Sequence, residues 1–161
     1  MPSELELIGR VALAFGLSFA IGFERELRRG PAGDRTYALI GTAAAAISTI
    51  AVSKSAGNAI AGVVTGVGFI GAALVFRQAA GTLRGITSAA AVLATTSIGV
   101  VAGAGYPLLA LATAGIVLFL LELRFLPGLS MLDARRYRGS LAGDDDPPRP
   151  GRRDRRRAAG A

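Results

Sequence analysis

The chain is 161 residues long and 52% hydrophobic, carries a formal net charge of +7, and contains neither cysteine nor histidine. Those two absences exclude disulfides, His/Cys zinc sites, thiol nucleophiles and every Ser/His or Cys/His catalytic arrangement. The basic balance (pI about 11.2) accompanies a mean hydropathy of +0.49, so the charge reads as a membrane-topology signal rather than a nucleic-acid one.

Three tracts hold no charged residue: 36–53, 55–76 and 85–121. Crossing a hydrocarbon core of about 30 Å takes about 20 apolar residues, so each of the first two makes one crossing. A single helix over the third would run about 55 Å, and the break Gly103-Ala104-Gly105-Tyr106-Pro107 divides it in two. With the apolar run that precedes them, these tracts predict an all-α integral membrane protein, a bundle of five transmembrane helices over 5–23, 37–53, 59–76, 86–103 and 107–123. Residues 1–124 form the membrane domain in this reading, and 125–161 a short interfacial segment and a disordered basic tail.

The first helix is the least apolar, with Glu6 and Arg10 in its opening turns. Ser18-Phe19-Ala20 is a passable cleavage site for a signal peptide, but Glu4 and Glu6 stand where a signal would carry basic residues. Arg25, Arg28, Arg29 and Arg35 follow, and Glu24 with Arg28 has the i,i+4 order that favours pairing. The second helix holds Gly41 and the run Ala43-Ala44-Ala45-Ala46.

The third helix is the richest in glycine: Gly62 and Gly66 form a small-xxx-small pair, and Gly68 and Gly71 extend it. Lipid is as apolar as leucine, so inserted helices associate through close backbone approach at small residues. The third helix is therefore expected at the centre of the bundle. Gly66-Val67-Gly68-Phe69-Ile70-Gly71 also fits the dinucleotide-binding spacing, but it lies inside a membrane-length apolar tract with no acid about 20 residues downstream. The packing reading wins. Gly99 and Gly103 repeat the four-residue spacing in the fourth helix, and dimerisation through these glycine faces is not separable from packing within one chain.

Basic residues orient the bundle. The loops after the first and third helices and the tail hold nearly all of them, whereas the opposite side holds Lys54 and Arg10. The bias predicts an outside N-terminus and a cytoplasmic C-terminus, in the cell membrane, and supports an odd number of spans. The tail, with Asp144-Asp145-Asp146-Pro147-Pro148-Arg149-Pro150 and then Arg155-Arg156-Arg157, lacks the apolar surface to fold. Its arginines suit anionic lipids better than nucleic acid, because no aromatic residues interleave them.

Two segments carry more specific chemistry than a loop needs: Gly22-Phe23-Glu24-Arg25, leading to Ala32-Gly33-Asp34-Arg35-Thr36, and Arg84-Gly85-Ile86-Thr87-Ser88-Ala89-Ala90. With the glycine-rich third helix they resemble the MgtC/SapB family over roughly residues 7–124. Asp34, Thr65 and Ser88 depart from its pattern, and the short tail stands where better-studied members carry a folded cytoplasmic domain. Glu24, Arg25, Arg35 and Arg84 are expected to converge at the cytoplasmic helix ends, with Thr36 and Thr87 capping free N–H groups, as a helix-register cluster or an anion pocket.

The resemblance implies magnesium and acid stress adaptation, through contacts with another membrane complex such as ATP synthase, with Mg²⁺ or other ion transport as the alternative. No Asp or Glu lies between Thr36 and Leu121, which counts against an ion pathway lined by carboxylates. No cofactor is implied, and no sheltered acid, base or activated nucleophile suggests an enzyme.

Overall fold

The computed structural model describes residues 2–76 and 85–123. Within them the chain forms five helices: α1 (Glu4–Leu27), α2 (Asp34–Ser53), α3 (Gly57–Phe76), α4 (Ile86–Gly103) and α5 (Pro107–Glu122). The helices through Leu121 belong to one unit, and all packing described below lies inside it. α1 to α4 are long and apolar enough to cross a membrane. α5 is equally apolar, but its 16 residues cover about 24 Å, short of a full crossing.

Local chemistry sets the helix ends. The Ser3 hydroxyl accepts the Glu6 N–H at 3.2 Å, satisfying one of the free donors at the start of α1. α1 runs four residues past its predicted end, since Glu24 to Leu27 continue the helix. It stops where Arg29 takes φ 54° and Gly30 N–H closes the turn on the Arg25 carbonyl at 2.8 Å. α2 begins three residues before its predicted start, with Gly33 as N-cap and Asp34 in the first turn, where negative charge suits the helix dipole. Between α4 and α5, Gly105 adopts φ 94°, a left-handed conformation that glycine takes without steric cost.

The core is built from small side chains and the exterior from large ones. Ala14, Ala44, Ala45, Ala91, Ala102, Ala110 and Ala114 are buried with Ile21, Tyr37, Val92 and Ile98, while Leu39, Phe69 and Leu108 are more than 70% exposed. Water would penalise such a surface, but hydrocarbon does not, and small residues let the backbones close up. The molecule is an integral membrane protein.

α1, α2 and α4 make the centre. α2 packs against both other helices, antiparallel to α1 and parallel to α4, and α3 packs against α4 and α2. The glycine-rich helix is thus not central as expected: only 6% of its spanning window is buried. At Gly62, Gly66 and Gly68 an added Cβ would meet nothing within 4 Å, and at Gly71 it would make ordinary contact with Ala89 at 3.6 Å. The close approaches lie elsewhere. Gly41 faces Ser18 of α1, Gly99 faces the Gly41 carbonyl, and Gly103 faces the Ala45 carbonyl. Glycine content therefore mis-ranked the helices, because a small residue permits close approach without requiring it.

Candidate functional site

Where α1 ends and α2 and α4 begin, the structure gathers a polar cluster. Gly22 brings α1 and α2 together there: a Cβ on it would come within 2.7 Å of Asp34 Cα and 2.8 Å of Tyr37 Cβ. Two residues on, Glu24 is buried at 7% exposure, with Arg28 Nε 3.5 Å from its Oε1. Arg25 reaches across to α4, donating from Nη2 to Ser88 Oγ at 3.1 Å. The fully buried Tyr37 donates its hydroxyl to the Ser88 carbonyl at 3.3 Å. Ser88 thus takes one bond from α1 and one from α2, and ties three helices at one level.

The cluster is only partly satisfied. Neither Glu24 carboxylate oxygen accepts a hydrogen bond among the described residues, and Arg25 Nε donates none. The Glu26 carboxylate lies against Gly33 at the start of α2, where it complements the positive end of the helix dipole. Gly30 packs on the Arg25 guanidinium, with a Cβ there falling 3.3 Å from Nε and Nη2. The fork is therefore held by its neighbours rather than left to solvent.

Of the six residues expected to converge, the structure brings Glu24 and Arg25 into the cluster. Arg35, Thr36 and Thr87 are exposed, and Arg84 lies outside the described residues, as does the Arg-rich tail with its expected lipid contacts. The expected threonine caps are corrected: Gly33 and Gly85 occupy the N-cap positions, with no side-chain cap bond at either. A helix may start only where its backbone turns in, and both chains turn in at the glycine. Tyr37 and Ser88 were missed as site residues. The signal was periodic: Ser88, Thr95 and Ala102 recur every seven residues on α4, and all three are buried.

A second polar group sits at the other end of the same three helices. Arg10 pairs with Glu6 at 2.6 Å and donates from Nη1 to the Gly103 carbonyl at 3.4 Å. Thr49 donates to that same carbonyl at 3.1 Å, and Ser48 to the Val100 carbonyl at 2.8 Å. Arg10 and Thr49 serve the Gly103 carbonyl at the end of α4, where Arg10 adds favourable charge, while Ser48 adds a second bond to a Val100 carbonyl that already accepts the Ala104 N–H at 2.9 Å. Among the described residues no three His, Cys, Asp or Glu side chains gather as metal ligands would.

Comparison with known proteins fits this architecture. The chain is 30% identical over 118 residues to a Haemophilus influenzae protein, covering 65% of this chain and 50% of that one. It is 36% identical over 99 residues to Protein MgtC of Brucella abortus, covering 59% and 41% of the two chains. With Protein MgtC of Salmonella typhimurium it shares 39% identity over 105 residues, covering 63% and 45%. The chain thus spans about half the length of the curated relatives it matches. No solved structure matches. A sequence model described as MgtC family matches residues 11–126, and the chain belongs to that family.

Proposed function

We propose that this chain is a non-catalytic regulatory protein of the cell membrane, which acts by packing against another membrane complex during magnesium or acid stress. Its N-terminus lies outside and its C-terminus in the cytoplasm, following the arginine bias of its loops, with the short apolar α5 making a fifth crossing where the bilayer thins to meet it. The observation that carries this reading is the uncovered face of α3. Gly62 and Gly66 have open space where a Cβ would stand, while α1, α2 and α4 already satisfy one another. Small residues at helical spacing admit the backbone of a second transmembrane helix, and among the described residues no helix uses them. The cluster of Glu24, Arg25, Tyr37 and Ser88 holds the three-helix core in register behind that face. The family likeness nominates ATP synthase as the partner.

The test compares inverted membrane vesicles with and without the protein. ATP-driven proton pumping is expected to fall when the protein is present and to recover with Gly66→Leu, which blocks the α3 face without touching the core. Pumping that is indifferent to the protein would remove the partner. Mg²⁺ uptake into liposomes holding the pure protein, in proportion to its amount, would replace regulation by transport.

A further inference from the structure

We draw no further inference here: the strongest candidate, the fully buried hydroxyls of Ser18 and Thr95 inside the α1, α2 and α4 core, which make no hydrogen bond among the described residues, carries nothing, because Ser18 already fills the notch at Gly41 and nothing among the described residues shows room beside either hydroxyl for a water or another ligand.

Discussion

Gly103 of α4 and Ala45 of α2 meet backbone to backbone: a Cβ on Gly103 would fall on the Ala45 carbonyl oxygen and lie 2.9 Å from Ala45 Cα. One turn earlier on both helices, Gly99 meets Gly41 in the same way. The seam between α2 and α4 is therefore closed at backbone distance over two successive turns, and no flexible side-chain end can yield there.

Gly103→Ala or Gly99→Ala should destabilise the protein by about 1–3 kcal/mol, the usual cost of forcing a methyl into a closed contact. Gly62→Ala and Gly66→Ala should stay within about 0.5 kcal/mol, as surface changes do. Reversible unfolding of each variant in mixed micelles measures the contrast. Equal losses at all four positions would mean that α3 is covered in the folded protein.

The Glu24–Arg28 pair joins a buried carboxylate to a partly exposed guanidinium. Its coupling should fall between the exposed and buried limits, at about 2 kcal/mol. A double-mutant cycle with Glu24→Gln and Arg28→Met isolates that figure. A coupling near zero would show that Glu24 is held by packing alone.

The Gly103 carbonyl accepts from both Arg10 and Thr49. Thr49→Val and Arg10→Met should each cost about 0.5–1.5 kcal/mol, since the other donor remains. Together they should cost more than their sum, because the carbonyl then loses both donors and stands unsatisfied. Strict additivity in unfolding measurements would show that the two donors act independently.

Because the native chain has no cysteine, single substitutions read topology without background. With the N-terminus outside, Gly57→Cys should react with an impermeant maleimide in intact cells. Gly81→Cys and Ala142→Cys should react only after permeabilisation. The reverse pattern would invert the orientation drawn from the arginines.

The sequence by itself determined that this chain lives in a membrane and where its helices run. Charge is costly in hydrocarbon, so the tracts between Arg35 and Lys54, Lys54 and Arg77, and Arg84 and Glu122 declare themselves without any knowledge of neighbours. α4 occupies its expected residues 86–103, bounded by glycines. The pairing of Glu24 with Arg28 was equally legible, since four residues along one helix is a local distance.

Only the tertiary structure decided which helices form the centre and which polar groups meet. Gly62 and Gly103 look alike as residues, yet one faces open space and the other a carbonyl oxygen, because close approach is a property of two backbones and not of one. Ser88 joins Arg25 and Tyr37 across 63 and 51 residues of chain, a contact that the motifs at the helix ends did not single out. Helix ends and hydrophobic lengths are local and additive, so composition reveals them. The rotation of one helix about its axis against another depends on the fit of whole surfaces, and that appears only when the helices are packed.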